Sequence, residues 1–254
     1  MRPVLRALSR IPYTTTLRVL SGLFALEAIV LGIAPLHRAD WLLENLLVLA
    51  FLALAVLAHR RMPLSRLSWL LIFAFLGLHE VGAHYTYAEV PYDAWCRAAF
   101  GFTLSEQLGF ERNHFDRLVH FSYGLLLAYP VRELFLRVGD ARGFWGYFLP
   151  LDLTMSTSML YELIEWGAAV VLGGDLGTAY LGTQGDEWDA HSDMALASLG
   201  ALVAMSLTAW VNARFDRDFA REWRESLRVK HLAPLGEERI VALAASGGEE
   251  RDKR

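Results

Sequence analysis

Histidine and carboxylate side chains are concentrated in four polar segments that interrupt long apolar runs of this sequence. The residues are His79, Glu80 and His84 in the first segment, Asp116, Arg117 and His120 in the second, Glu162 and Glu165 in the third, and Asp189 and Asp193 in the fourth. Spacings of three or four residues place side chains on one face of an α-helix. Each segment therefore predicts a helical face that presents nitrogen or oxygen donors.

Such donors suit a divalent metal such as zinc, and a bound metal activates water for hydrolysis. The residues that we expect to ligate it directly are His79, His84, His120, Glu162 and Asp193. Those expected to orient the ligands or to act as a general base are Glu80, Asp116, Glu165 and Asp189. Arg117 is expected to bind a phosphate or carboxylate of a substrate. The alternative is a buried network of ion pairs that holds four helices together.

The first segment departs from the usual zinc motif. His79 and His84 are five residues apart, whereas H-E-x-x-H separates its histidines by four. Glu80, His84 and Tyr87 follow a helical repeat of four and then three residues, which predicts one shared face. With only one cysteine in the chain, a thiolate-rich site and an intrachain disulfide are both excluded.

The elements that position these residues are transmembrane helices. Hydrophobic residues make up 54% of the chain, its mean hydropathy is +0.29, and the charged residues gather between apolar runs. Runs of about 20 apolar residues span a bilayer as helices. The predicted fold is an all-α bundle of six transmembrane helices, over residues 16–34, 40–58, 67–87, 114–136, 144–172 and 190–215. Nothing in the sequence indicates nucleic-acid binding, since membrane topology explains the basic residues.

Arginines mark one side of the predicted bundle. They cluster before the first span, between the second and third, between the fourth and fifth, and after the sixth, as in Arg2, Arg6, Arg10, Arg60, Arg61, Arg137, Arg142 and Arg221. Cytoplasmic loops are rich in Lys and Arg, so both termini are predicted to be cytoplasmic. The polar residues then lie near the outer ends of the last four spans. We expect one cavity near the outer face to hold them.

Residues 1–215 are predicted to form the transmembrane domain, and residues 216–254 a cytoplasmic segment. In that segment Phe219, Trp223 and Leu227 alternate with charged residues, which indicates an amphipathic helix. Residues 247–254 are polar and predicted to be disordered. Glu27 and Glu44, inside the first two spans, are interpreted as polar contacts between helices.

The four polar segments together resemble a known family. HEVGAHYTY (79–87), NHFDRLVHF (113–121), YELIEW (161–166) and QGDEWD (184–189) with Asp193-Met194 look like the YjdF-like bacterial inner-membrane proteins. The resemblance covers about residues 15–215 and implies the membrane fold and an inner-membrane location, but no activity. Residues 162–200 are also distantly similar to VanZ-like membrane proteins, although Glu165 stands where that group is expected to carry Gln.

Three functional hypotheses remain open from the sequence. The first is a metal-dependent hydrolase or transferase that acts on a lipid or lipid-linked substrate at the outer leaflet. The second is a proton- or cation-coupled transporter, which would need polar residues along a path through the membrane. The third is an accessory protein in which the cluster only fixes helix packing. The lipid bilayer is the one partner that the sequence indicates. The sequence does not indicate an oligomeric state.

Overall fold

The computed structural model describes residues 12–174, 183–216, 218–230, 236 and 241–243. Most of these residues lie in helices. These residues contain no β-strand. The helices are α1 Tyr13–Ile33, α2 Arg38–His59, α3 Arg66–His84, α4 Tyr92–Phe100, α5 Leu104–Leu108, α6 Phe115–Val138, α7 Trp145–Leu172, α8 Asp189–Phe215 and α9 Phe219–Ser226. The basic residues Arg2, Arg6 and Arg10 and the tail predicted to be disordered lie outside the described residues.

Four of the helices are long and apolar enough to cross a membrane, namely α1, α2, α3 and α8. Large apolar side chains such as Leu23, Ile29, Leu46 and Leu54 are exposed on α1 and α2. An aqueous surface would not tolerate so much contiguous apolar area, whereas lipid contact explains it. The chain is thus an all-helical membrane protein in which α6 and α7 are long but carry the polar residues.

The third predicted span is three residues too long at its end. The helix ends at His84, and Thr86 and Tyr87 adopt left-handed backbone angles, with φ of 56° and 55°. The backbone N–H of Tyr87 donates to the carbonyl of Gly82, so the chain folds back over the helix end. The prediction that Tyr87 continues the helical face of Glu80 and His84 is therefore wrong.

α6 lies at the centre of the bundle, between α3 and α8, and α7 packs on both α6 and α8. The backbones of α6 and α8 touch where they cross. A Cβ atom on Gly124 would overlap the carbonyl of Ala197, and one on Gly200 would overlap the carbonyl of Phe121. Only glycine permits this approach, which resembles the small-residue contacts of membrane helices.

The two ends of the bundle are closed by different contacts. At the end that carries α4 and α5, called here the α4 end, the backbone N–H of Leu36 donates to the carbonyl of His84. At the opposite end, called the α9 end, Phe219 and Trp223 of α9 pack against Tyr147 at the start of α7. The apolar side of this short helix thus faces the bundle, while Leu227 follows the helix and is exposed.

Candidate functional site

The crossing of α6 and α8 determines which polar side chains meet. Toward the α4 end, His120 and Asp116 lie one and two turns beyond Gly124, and Asp193 lies one turn beyond Ala197. Asp116, His120 and Asp193 each offer one ligand atom within 4.8 Å of the others. We call these three residues the trio. Its geometry is a direct consequence of the close helix approach.

Glu162 of α7 lies beside the trio. Its Oε1 is 3.7 Å from Nε2 of His120, which is itself 3.5 Å from Oδ1 of Asp116. Asp193 is only 2% exposed, yet its Oδ1 and Oε1 of Glu162 have no hydrogen-bond partner among the residues described. Buried polar atoms are almost always satisfied. These two oxygens are therefore available to accept a hydrogen bond or to contact an ion.

A network of two arginines and two aspartates covers the trio at the α4 end. Nη2 of Arg112 lies 2.5 Å from Oδ1 of Asp189 and 3.1 Å from Oδ2 of Asp186, and Nη2 of Arg117 lies 2.6 Å from the same Asp186 oxygen. The N–H of Trp188 donates to Asp186 and, together with the two arginines, lowers the pKa of that carboxyl. The network holds residues 183–189 against the start of α6.

Asn113 and Gln184 connect the same loops through neutral hydrogen bonds. The backbone N–H of Asn113 donates to the Gln184 side chain, which donates back to the carbonyl of Asn113. The Asn113 side chain also donates to the carbonyl of Val90 and accepts from the N–H of Phe115, the first residue of α6. Three loops are thus joined above the trio, which explains why these polar residues cluster in the sequence.

A cavity of about 230 Å³ lies between α2, α3, α6 and α7 and reaches Asp116 and His120. Its wall near the trio is polar. The hydroxyl of Tyr87 lies 2.6 Å from Nδ1 of His79, and the hydroxyl of Tyr161 donates to Glu44 at 3.3 Å. Farther toward the α9 end, beyond Tyr123, Thr157 and Ser158, the wall is mostly apolar, with Phe51, Ile72 and Leu127. The cavity therefore joins a polar end to an apolar body.

One expected ligand, His84, and one expected orienting residue or general base, Glu80, lie elsewhere. Nδ1 of His84 contacts the carbonyl of Leu31 at 2.7 Å, so this histidine faces α1. Glu80 is fully buried, and neither of its carboxylate oxygens has a hydrogen-bond partner among the described residues. Glu27 of α1 is close enough to repel its carboxylate electrostatically. The expectation that a single cavity holds every polar residue is wrong for these two, because they lie on the side of α3 that contacts α1.

The remaining predicted residues lie around the trio. His79 lines the cavity, Glu165 interacts electrostatically with Glu44 and Glu162, and Asp189 and Arg117 belong to the covering network. Asp116, expected to orient a ligand, lies in the group of three residues whose donor atoms could hold a metal ion.

Arg112 was not among the predicted site residues. The signal that could have marked it is its position in a predicted loop that is poor in arginine. Glu44 was predicted to make a polar contact between helices, and the hydrogen bond that it accepts from Tyr161 of α7 confirms that prediction.

The donor set fits a divalent metal. One imidazole nitrogen and two carboxylate oxygens are ligands that zinc and manganese accept, and Glu162 is near enough to provide another oxygen. Three protein ligands leave coordination positions open for water or substrate.

Most of this chain is similar in sequence to known proteins. Residues 16–214 match the family described as predicted membrane protein (DUF2238), a range that contains all four polar segments. The inner membrane protein YjdF of Escherichia coli (strain K12) is 39% identical over 189 residues, which are 74% of this chain and 86% of that protein. No solved structure matches the chain significantly. The resemblance found in the polar motifs is confirmed: this inner-membrane protein belongs to the DUF2238 family of predicted membrane proteins.

Proposed function

We propose that this protein is a metal-dependent hydrolase or transferase that acts on a lipid or lipid-linked substrate near the outer leaflet of the inner membrane. The observation that carries the proposal is the trio of Asp116, His120 and Asp193, whose donor atoms lie within 4.8 Å of one another at the polar end of a cavity. Oδ1 of Asp193 and Oε1 of Glu162 have no hydrogen-bond partner among the described residues. Convergent nitrogen and oxygen donors are the arrangement that a divalent metal needs.

The proposal includes six membrane crossings with both termini in the cytoplasm. α6 and α7 have 24 and 28 residues, about 36 and 42 Å of helix, which is enough to cross the hydrocarbon core. α6 packs between α3 and α8, two apolar helices of spanning length. Arg60, Arg61, Arg137 and Arg142 then mark the cytoplasmic side. The α4 end is the outer end in this topology.

Six residues have roles in the proposed reaction. Asp116, His120 and Asp193 would hold a divalent metal, which when bound would supply Lewis acidity and lower the pKa of water. Glu162 would accept a proton from water as the water oxygen forms a bond to the acyl carbon or phosphorus of the substrate. Arg117 and Arg112 would stabilise negative charge on a substrate phosphate or carboxylate. The ester or phosphoester bond to the leaving group would break, and the proton held by Glu162 would pass to that group.

The apolar body of the cavity favours this function over a transporter. The cavity wall is lined toward the α9 end by Phe51, Ile72 and Leu127. Proton or cation relays need polar groups along their path. An apolar wall instead suits the hydrocarbon part of a lipid, whose polar group would then lie at the trio.

Metal analysis of the purified protein tests the proposal. After incubation with zinc or manganese and removal of free ions, we expect about one metal per chain in the wild type, by analogy with a single catalytic site. The double variant His120→Ala/Asp193→Asn should lose at least nine-tenths of it. Asp152→Asn, which removes an exposed carboxylate from α7, is the matched control and should bind like the wild type.

Two further measurements make the test decisive. Metal at 100 times its Kd should stabilise the wild type by about 2.7 kcal/mol against thermal unfolding and leave the double variant unchanged. Mass spectrometry of lipids from cells that produce wild type or Asp193→Asn should show a species consumed only by the wild type. Absence of bound metal under all these conditions would remove the metal-dependent mechanism.

A further inference from the structure

We infer that the cavity between α2, α3, α6 and α7 holds one hydrocarbon chain of an outer-leaflet lipid, which enters from the bilayer between α2 and α7. This inference rests on the proposed function in one respect, namely that the polar end of the same lipid lies at the trio. It adds the part of the substrate that is recognised, the direction of entry and the residues that form the wall.

The length of the cavity matches one leaflet. Its wall includes Asp116 near the start of α6 and Leu127 deeper in the same helix. Eleven residues of helix correspond to about 16 Å, and half of a hydrocarbon core of about 30 Å is about 15 Å. A chain that extends from the trio to Leu127 would therefore reach the middle of the bilayer.

The side of the cavity between α2 and α7 is closed by little direct packing of these two helices on each other. α2 packs chiefly on α3, and its hydrogen bond to α7 runs from Tyr161 to Glu44 near the α4 end. Deeper in the membrane, Leu47 and Phe51 line the cavity, and each is 38% exposed. These two apolar side chains of α2 therefore form the part of the wall where a hydrocarbon chain would pass.

Selectivity arises at the polar end. A hydrocarbon chain gains little free energy by moving from the bilayer into an equally apolar cavity, because neither environment contains water. Contacts of the polar group with the trio and with the hydroxyls of Tyr87 and Tyr161 would therefore decide which lipid stays. The cavity should therefore accept hydrocarbon chains of varied structure but only a narrow range of lipid polar groups.

Photo-crosslinking in reconstituted vesicles tests the inference. The probe is phosphatidylglycerol with a diazirine near the end of one acyl chain, and labelled peptides are mapped after irradiation. In the wild type we expect labels on wall residues such as Ile72 and Leu127. Leu47→Trp, which narrows the entrance, should reduce this labelling at least threefold. Leu46→Trp enlarges the neighbouring side chain, which is 62% exposed outside the cavity, and should leave labelling unchanged.

Several outcomes would overturn the inference. Equal wall labelling in the two tryptophan variants, or labels confined to lipid-facing residues of α1 such as Leu23 and Ile29, would indicate surrounding lipid only. If Leu47→Trp does not fold, Leu127→Phe shortens the cavity from its deep end and should equally reduce labelling by a probe with a chain-end diazirine. Unchanged labelling in that variant also counts against the inference.

The chain site and the metal site can fail separately. In His120→Ala/Asp193→Asn, metal binding should disappear, while Leu127 should still be labelled because the apolar wall and the hydroxyls of Tyr87 and Tyr161 remain. Labelling of the wall in a wild-type protein that binds no metal would support the chain site and remove the proposed reaction. Metal binding without wall labelling would have the opposite meaning.

Discussion

Asp186 is the residue at which charge and structure are most clearly connected. Its carboxylate accepts from the N–H of Trp188 at 2.9 Å and lies 2.6 and 3.1 Å from the guanidinium groups of Arg117 and Arg112. These contacts favour the ionised form and lower the pKa of Asp186 below its ordinary 3.8. A group with a lowered pKa in the folded state stabilises the fold above its unfolded pKa. That contribution is lost as the pH falls through the folded value.

Asp186→Asn should therefore lower the Tm of the purified protein near neutral pH, because it removes the charge that holds Arg112 and Arg117. The difference from the wild type should shrink once the pH falls well below 3.8, where the wild-type carboxyl also becomes neutral. Thermal unfolding in detergent at both pH values measures it. Glu187→Gln removes a charge from the exposed neighbouring position and should have little effect at either pH. A difference that is independent of pH would show that the charge of Asp186 is not the cause.

At the scale of elements, the sequence predicted the positions of the helices better than their rotations. Apolar length located all six long helices, and the placement of arginines supplied only their predicted orientation. The orientation of a residue about a helix axis depends on its neighbours, and a helix that is apolar nearly all round carries little such information. This is why Glu80 and His84 were expected beside His120, although they face α1. The left-handed turn at Thr86 and Tyr87 contains no glycine that could have signalled it.

Small residues of α8 such as Ala197 and Gly200 are visible in the sequence as one face of the helix. The sequence does not show that Gly124 of α6 packs against this face. Gly124 stands alone among larger residues, and its role depends on the contact with Ala197. Because that contact determines the distance between the two helices, it also determines the distance between His120 and Asp193. The three residues of the trio could therefore be predicted as candidates for the site, but the distances between them could not.

Gly124→Ala should lower the free energy of unfolding by about 1–3 kcal/mol, the usual effect of overpacking a tight contact. The same change should separate α6 from α8 and weaken metal binding at the trio, although Gly124 contributes no ligand. Gly167→Ala is the matched control, since a Cβ at this position in α7 meets nothing within 4 Å. It should be neutral or stabilising by about 0.5–1 kcal/mol. Equal metal affinity in both variants would separate the trio from the helix crossing.

At the scale of the whole molecule, the number of crossings depends on α6 and α7. Their polar side chains, which include Asp116 and His120 of the trio on α6 and Glu162 on α7, lower the hydropathy of these two helices. Residues of the candidate site therefore make two of its helices harder to recognise as spans, whereas α8, which carries Asp193, is still recognised. If α6 and α7 both cross, the loop between α4 and α5 and the loop that contains Glu187 face one side, and the turn at Asp140 faces the other.

Labelling of single cysteines with a membrane-impermeant maleimide tests this arrangement in intact cells whose outer membrane has been made permeable. Cys96 of α4 should react without disruption of the inner membrane, because the α4 end is proposed to be outside. In a Cys96→Ser background, Glu187→Cys should react equally, whereas Asp140→Cys should react only after the inner membrane is opened. Both introduced positions are exposed, so accessibility to the reagent does not distinguish them. Reaction of Asp140→Cys from outside would mean that α6 does not cross, and the trio would then lie at a depth incompatible with an outer-leaflet substrate.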